Sequence, residues 1–234
     1  DVSVMKERPP GRQPVLTKMV REKARKSVYA DMLKEIQAGR QCYVVYPLVA
    51  ESEKLDLKDA VSGHELLQDI FQGVSVDLVH GRMKSVEKEE VMARFVSGES
   101  SILVSTTVIE VGVDVGNATF MLVEHAERFG LSQLHQLRGR IGRGSHASTC
   151  ILMAEYRQTE ESRERLKAME DTEDGFQISE IDMRLRGVGD FFGTKQSGLP
   201  AFRLADLLYD QKILIEARKA AFSLVEDDHD SKKE

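Results

Sequence analysis

A nine-residue stretch, Gln136–Gly144, holds the residue types best suited to chemistry. It reads Gln-Leu-Arg-Gly-Arg-Ile-Gly-Arg-Gly, with three arginines, three glycines and no acidic residue. Arg140 and Arg143 are three positions apart, so in a helix or turn their guanidinium groups can point the same way. Guanidinium forks match phosphate oxygens bidentately, and glycines allow a close backbone approach. This arginine stretch therefore suits a polyphosphate, and a solvated basic turn is the alternative interpretation.

Two further stretches carry polar groups that could bind phosphate. His80–Arg82 follows one apolar run, and Ser105–Thr107 follows another and leads on to Gly112 and Asp114. Hydroxyl groups beside the amino end of a helix form a seat for phosphate. Ligands of open parallel sheets collect beyond the carboxyl ends of the strands. We therefore expect all three stretches at that edge; a tight turn and a pair of helix-capping threonines are the alternatives for these two.

The remaining pattern predicts the sheet that would hold them. Apolar runs indicate strands at 14–21, 41–46, 74–79, 101–105, 118–124 and 147–154. Asp59–Gln72 is predicted as a helix after a charged loop, Val49–Leu57, and Ser85–Ser97 as a helix with Val86, Val91 and Phe95 on its apolar face. Continuous apolar strands that alternate with helices predict a mainly parallel α/β sheet covered on both faces.

The pattern changes after residue 154. Two short helices, Thr159–Glu170 and Ile178–Arg186, precede a glycine-rich loop, Gly187–Pro200, and a long amphipathic helix, Leu204–Val225. We predict four parts: a linker at 1–13, an α/β domain at 14–155, a helical appendage with its loop at 156–225, and a disordered tail at 226–234.

Composition excludes several classes of protein. A chain of 234 residues with 41% hydrophobic content can bury one sizeable domain, and no apolar run reaches the roughly 18–20 residues that span a bilayer. The net charge of −6 excludes a generally basic nucleic-acid binder, so DNA contacts must come from local patches. Cys42 and Cys150 lie in apolar runs and read as buried thiols of a reducing cytoplasm. The histidines show no metal-ligand spacing with them, so no metal site in protein ligands is predicted.

The order of the motifs is similar to that of superfamily-two helicases. Ile102–Asp114 resembles their fifth motif and the arginine stretch their sixth. Such motors have two RecA-like lobes with ATP between them, and this chain resembles the second lobe, which has no phosphate loop of its own. The resemblance implies an arginine finger at Arg143. It implies nucleotide contacts at Gly112, Asp114, Gln136, Arg140 and Arg143, and DNA contacts at His80, Gly81, Arg82, Thr106 and Thr107.

A finer resemblance is to RecG-type helicases. It is carried by Gly39–Glu53, His80–Met83 and Asp182–Pro200. In that family a helical hairpin leads into a loop that couples ATP hydrolysis to movement on duplex DNA. The resemblance implies coupling roles for Arg184, Arg186 and Gln196. This sequence departs from the family pattern at Gly116, Val188 and Lys195, and the lysine loses the bidentate fork of an arginine.

The resemblance implies the second motor lobe of an ATP-dependent translocase that remodels branched duplex DNA, such as replication forks and Holliday junctions, in recombination and repair. The sequence has no Gly-x-x-x-x-Gly-Lys-Ser/Thr loop, and we expect no acidic strand end that holds Mg²⁺. We therefore expect Mg²⁺ and ATP to be held with the first lobe of a longer, monomeric bacterial protein that also carries a wedge domain. The chain alone is expected to be inactive, in a cytoplasmic protein near the nucleoid.

Two other functions stay open at this point. A lobe of the transcription-repair coupling factor would share the translocation loop but would bind RNA polymerase. A non-catalytic RecA-like module would bind DNA or a partner without meeting an ATPase lobe. A small-molecule nucleotide binder is disfavoured, because the dinucleotide glycine fingerprint is absent.

Overall fold

The computed structural model describes residues 13–48, 53–106, 115–156, 158–186, 213 and 216–224. Its six strands form one sheet in the order β1-β6-β5-β2-β4-β3, and every neighbouring pair is parallel. The strands are β1 (Val15–Arg21), β2 (Gln41–Val45), β3 (Val76–Val79), β4 (Ile102–Ser105), β5 (Ala118–Val123) and β6 (Ser148–Ala154). The predicted parallel α/β sheet is confirmed.

Six α-helices accompany the sheet in the described chain. They are α1 (Arg25–Gln37), α2 (Glu53–Ile70), α3 (Ser85–Ser97), α4 (Leu131–Arg138), α5 (Glu160–Asp171) and α6 (Gly175–Arg186), and Glu22–Ala24 and Ala126–Arg128 form 3-10 turns. No described helix combines the length and apolarity needed to cross a membrane. The chain divides into two compact units, residues 1–179 and 180–234. In the second unit, residues 216–224 are helical within the predicted long helix.

Alternation along the central strand β2 explains why helices cover both faces of the sheet. Cys42 belongs to a buried cluster with Met32 of α1, whereas Tyr43 stacks against Phe95 of α3 with ring centroids 4.9 Å apart. Successive residues of a strand point to opposite faces, so α1 and α3 lie on opposite sides. Both cysteines are free and buried, as predicted.

Helix α2 begins earlier than the sequence predicted. It starts at Glu53, so the charged loop Val49–Leu57 is wrong from that residue onward. Asp56 is 1% exposed, and its carboxylate lies 2.7 Å from Nη1 of Arg128. From the sequence, Asp56 is predicted to be a solvated charge. In the structure it is buried within a helix, because it forms an ion pair with Arg128, which is distant along the chain.

Helix α3 has the predicted bounds but a different buried face. Val86 is 64% exposed, and the buried residues are Val91, Met92 and Phe95. The buried stripe of α3 therefore begins after the first turn.

The edge strand β1 is covered by the segment that follows β6. The N–H of Val15 donates to Oε1 of Glu173, and the N–H of Met19 donates to Oε1 of Glu170, each at 2.6 Å. Unpaired edge groups can pair with another chain. The two carboxylates satisfy two of them and fasten α5 and the turn after it to the sheet.

Candidate nucleotide and nucleic-acid sites

Buried leucines and crowded glycines fix the arginine stretch. Leu131, Leu134 and Leu137 are buried on α4, which ends at Arg138. Gly142 has φ 73°, and a Cβ there would lie 2.7 Å from Cγ2 of Val15. A Cβ on Gly144 would lie 2.3 Å from the carbonyl oxygen of Gly116. The turn thus packs closely against the beginnings of β1 and β5.

These contacts place the arginine stretch at the amino-terminal edge of the sheet. Val15 is the first residue of β1, Gly116 lies just before β5, and the stretch itself leads into β6 at Ser148. The expectation that it lies beyond the carboxyl ends is wrong. The reason is topological, because the stretch follows a helix and precedes a strand.

The three arginines of the stretch have different environments. Arg140 is half-buried and Arg143 is exposed, and Nε of Arg143 donates to the carbonyl oxygen of Gly139 at 2.8 Å. Both belong to the turn that follows α4, and Gln136 is exposed on the helix before it. Arg138 is only 4% exposed. The turn therefore presents Arg140 and Arg143 toward its open side and holds Arg138 inside.

Sequence reasoning gave Arg138 no role, although a signal was present. It follows Leu134 by one helical turn and therefore shares the buried face of α4. Its Nη1 donates to the carbonyl oxygens of Met169 at 2.9 Å and Thr172 at 2.8 Å, and Nη2 lies 3.1 Å from Nδ1 of His135. Arg138 therefore connects α4 to the end of α5.

Of the stretch resembling the fifth motif, the structure describes only Ile102–Thr106, and Thr107, Gly112 and Asp114 lie outside the described residues. The described chain resumes at Val115, just after this stretch, and Gly116 lies against Gly144 of the arginine stretch. The residues that follow the predicted motif therefore lie beside the arginine stretch.

The opposite, carboxyl edge carries a cluster of polar groups. Val79 pairs with Ser105, so His80 and Thr106 follow on adjacent strands. Ser105 and Thr106 are each 1% exposed, and their hydroxyl oxygens, like Nδ1 of His80, have no hydrogen-bond partner in the described part of the chain. An unpartnered buried polar group costs about 1–3 kcal/mol. Such a cluster favours a ligand that would supply the missing partners.

The charges around His80 are positive. Burial, followed by the positive charges of Lys88 and Arg82, holds the pKa of His80 below its usual value, so the ring is neutral near pH 7. Gly81 and Arg82 are exposed on the adjoining turn, where Nζ of Lys88 donates to the carbonyl oxygen of Gly81 at 2.8 Å. This end of the carboxyl edge suits an anion.

The middle of the same edge is acidic and internally paired. Glu124 directly follows β5 and is 2% exposed. Its carboxylate accepts from Nη1 and Nη2 of Arg25, with the second distance 2.9 Å. That pairing leaves Glu124 poorly suited to hold a metal ion.

A histidine between two carboxylates lies beside it and was not foreseen. Nδ1 of His125 is 3.7 Å from Oε1 of Glu127 and 3.6 Å from Oε1 of Glu155. Hydrogen bonding to Glu127 raises the pKa of His125, and Glu124 and Glu155 add to the effect. A protonated ring therefore places one positive charge between the two carboxylates.

Comparisons with known proteins agree with this geometry. Residues 24–145 match the family described as "Helicase conserved C-terminal domain".

The chain belongs to the helicase C-terminal domain family.

A second family match and individual relatives indicate a narrower group of helicases. Residues 172–234 match the family described as "ATP-dependent DNA helicase RecG, domain 3, C-terminal". The chain is 52% identical over 229 residues to the ATP-dependent DNA helicase RecG of Synechocystis sp., covering 97% of this chain and 27% of that protein. It is 50% identical to RecG of Bacillus subtilis, covering 97% of this chain and 33% of that protein. This helicase lobe therefore spans about a quarter to a third of these relatives.

Solved structures give the same result. The structure of RecG bound to a three-way DNA junction superposes with a TM-score of 0.69 and 44% identity, covering 89% of this chain and 26% of that chain. Domain 2 of the Mss116p DEAD-box helicase has a TM-score of 0.51 at 19% identity, over 72% of this chain and 68% of that one, and shows the fold alone. The predicted RecA-like helicase lobe and the resemblance to RecG-type helicases are confirmed.

The predicted coupling residues are only partly described. Arg184 is exposed on α6, and α6 ends at Arg186. Gln196 lies outside the described residues.

We expect Gly144→Ala to destabilise this helicase lobe by about 2 kcal/mol, because its Cβ would force two backbone segments apart. Gly81→Ala is the matched control, since no atom lies within 4 Å of the position of its Cβ. Urea unfolding of both variants measures the effect. Equal stability of the two would contradict the close contact with Gly116.

We expect the stabilising effect of His125 to depend on pH. Because its pKa in the folded lobe is raised above 6.5, the contribution is complete below about pH 6.5 and is lost as the pH rises through the raised value. The melting temperature of His125→Asn should therefore fall below wild type by a few degrees more at pH 5.5 than at pH 8.5. Asparagine tolerates the left-handed backbone of this position, which has φ 48°.

The control for that comparison is His146→Asn, which changes an exposed histidine. Its melting temperature should follow wild type at both pH values. A His125→Asn difference that is the same at both would show that the ring does not bridge the carboxylates as a cation.

Proposed function

We propose that this chain is the second motor lobe of an ATP-dependent helicase that translocates on duplex DNA and remodels branched DNA in recombination and repair. The single observation that carries the proposal is the placement of two phosphate-suited surfaces at opposite edges of one sheet. The arginine stretch lies at the amino edge, and the cluster of His80, Ser105 and Thr106 lies at the carboxyl edge. A motor lobe needs such a separation, because ATP and DNA must be bound at once.

At the amino edge, the residues fit a nucleoside triphosphate. The turn after α4 carries the guanidinium groups of Arg140 and Arg143, and the arginine stretch has no carboxylate, which suits a polyphosphate. Arg143 would act as the arginine finger, with Arg140 beside it on the γ-phosphate. Gln136, Gly112 and Asp114 would complete this side of the nucleotide site.

ATP would supply the bond whose hydrolysis drives the motor, and it would be held with Mg²⁺ by a first RecA-like lobe elsewhere in the full-length protein. The arginines of this lobe would neutralise the charge that develops on the transferred phosphoryl group, which is the main catalytic task in this reaction. They carry out that task by position alone and keep their protons throughout.

At the carboxyl edge, phosphate oxygens of DNA would accept from the hydroxyl groups of Ser105 and Thr106 and from the ring of His80. Gly81, Arg82 and Thr107 would extend the contact. Backbone contacts of this kind position a protein without reading sequence. We therefore infer sequence-tolerant binding that weakens as salt concentration rises.

The helical hairpin and the loop that follows it would convert hydrolysis into movement, with Arg184, Arg186 and Gln196 as coupling residues. We divide the chain into the linker (1–13), the lobe (14–155), the hairpin with its loop (156–225) and the tail (226–234). Identity to RecG across nearly the whole chain favours this function over a lobe of the transcription-repair coupling factor. A wedge domain, a monomeric state and a location at the bacterial nucleoid belong to the same proposal.

We expect Arg143→Ala in the full-length protein to lower DNA-stimulated ATP hydrolysis by about a thousandfold, which is the usual contribution of an arginine finger. Arg163→Ala, which removes an exposed arginine from α5, is the control and should hydrolyse normally. Phosphate release with and without a branched duplex measures both. Normal turnover by Arg143→Ala would make the stretch a solvated basic turn and favour a non-catalytic module.

We expect Thr106→Val to weaken DNA binding by the full-length protein several-fold without lowering its stability. A buried hydroxyl without a partner costs stability rather than adding to it, and valine has nearly the same shape. Thr119→Val should lower stability and leave DNA binding unchanged, because the hydroxyl of Thr119 donates to Oε2 of Glu35 at the amino edge of the sheet. Fluorescence anisotropy with a labelled junction and thermal melting give the two readouts.

If Thr106→Val bound DNA normally but melted at a lower temperature, the hydroxyl would have a structural partner and the carboxyl edge would lose its assigned role. Raising the salt concentration from 50 to 200 mM should also weaken wild-type binding markedly, as counterion release requires.

A further inference from the structure

We propose that Arg138 is the positioning residue that couples the arginine stretch to the α5–α6 hairpin. The inference rests on the proposed function, because it assumes that nucleotide acts on Arg140 and Arg143. It assigns the first arginine of the stretch a task different from theirs. Arg138 would hold no nucleotide, and instead would transmit the displacement of the turn to the hairpin.

The end of α5 needs a cation that its own sequence lacks. The last turn of α5 contains Glu170 and Asp171 and no basic residue. Carbonyl groups at a helix end are unpaired and carry partial negative charge, so acidic residues there are unfavourable. Arg138 supplies the missing cation, since it donates to Met169 at 2.9 Å and to Thr172 at 2.8 Å.

The connection from Arg138 to the proposed nucleotide contacts is short. Arg138 ends α4, and the next residue, Gly139, accepts the hydrogen bond from Arg143 at 2.8 Å. Arg140 follows, with its N–H bonded to the carbonyl oxygen of Leu137. A displacement of the turn must therefore move the base of Arg138. The contact with His135 fixes the guanidinium plane, so the displacement reaches the carbonyl groups that it holds.

The hydrogen bonds of Arg138 lie beside a pocket that is open to solvent. This pocket, of about 170 Å³, is lined by Arg138 and Gly139 on one side and by Glu173 and Gly175, where α6 begins, on the other. The bonds of Arg138 to Met169 and Thr172 are therefore contacts that lead from the start of the hairpin to the arginine stretch.

The competing explanation is that Arg138 only stabilises the lobe. Glu173 and Glu170 also fasten the hairpin to β1, through Val15 and Met19. A hairpin fixed in this way would not move with the arginine stretch. Removing Arg138 would then lower stability without changing how much DNA is unwound for each ATP hydrolysed.

The test uses the full-length protein with two substitutions and one control. Arg138→Met keeps the apolar stem and removes every donor, whereas Arg138→Lys keeps a cation without the fork. Lys167→Met removes an exposed lysine from the same helix, α5. DNA-stimulated ATP hydrolysis and unwinding of a branched duplex are measured together, and their ratio is the readout.

We expect Arg138→Met to hydrolyse ATP within about twofold of wild type and to unwind about tenfold less DNA for each ATP. Arg138→Lys should give a ratio between those of wild type and Arg138→Met, and Lys167→Met should match wild type. Hydrogen exchange at residues 172–178 gives a second readout. In wild type, a non-hydrolysable ATP analogue should change the exchange of these amides, and in Arg138→Met the change should be absent.

The coupling role would be overturned if Arg138→Met unwound as much DNA for each ATP hydrolysed as wild type does, whether or not both activities fell together. If Arg138→Met does not fold, the ratio of Arg138→Lys decides in the same way. The two proposals fail separately. Normal hydrolysis by Arg143→Ala overturns the proposed function, whereas a wild-type ratio in the Arg138 variants overturns the coupling alone.

Discussion

The close contact between Gly144 and Gly116 is the constraint on which the candidate nucleotide site depends. A Cβ on Gly144 would lie 2.3 Å from the carbonyl oxygen of Gly116, so no side chain fits between the two segments. The contact brings the segment that precedes β5 and the turn that follows α4 to the same edge. Gly142 adds a second close approach to β1. The positions of Arg140 and Arg143 therefore follow from backbone packing, which is stiffer than side-chain packing.

The sheet separates the two candidate sites by the length of its strands. Parallel strands have all their carboxyl ends on one side, so residues that follow strands and residues that precede them lie at opposite edges. His80 and Thr106 follow β3 and β4, whereas the arginine stretch precedes β6. Any coupling between the two edges must therefore pass through the strands or along the helices. Helix α4 is one such helix, because it ends at the arginine stretch.

The sequence was sufficient for the sheet, because continuous apolar strands carry their own signal. It was not sufficient for features that depend on a distant partner. Asp56 looks like a solvated charge until Arg128 is brought to it, so the start of α2 was missed. Arg138, Arg140 and Arg143 look alike in sequence, and only the carbonyl groups at the end of α5 separate the first from the others. Chain order, and not residue type, decides the edge of the sheet at which the arginine stretch lies, because the stretch follows a helix and precedes a strand.

The carboxylates that cover β1 also bear on how the lobe can be divided. Glu170 and Glu173 come from the hairpin, yet they satisfy backbone groups of the first strand. A truncated chain ending near residue 155 would uncover the N–H groups of Val15 and Met19, near Leu16, which is 54% exposed. An open, partly apolar strand edge recruits strands from other molecules. The hairpin therefore also shields this strand edge from pairing with another chain.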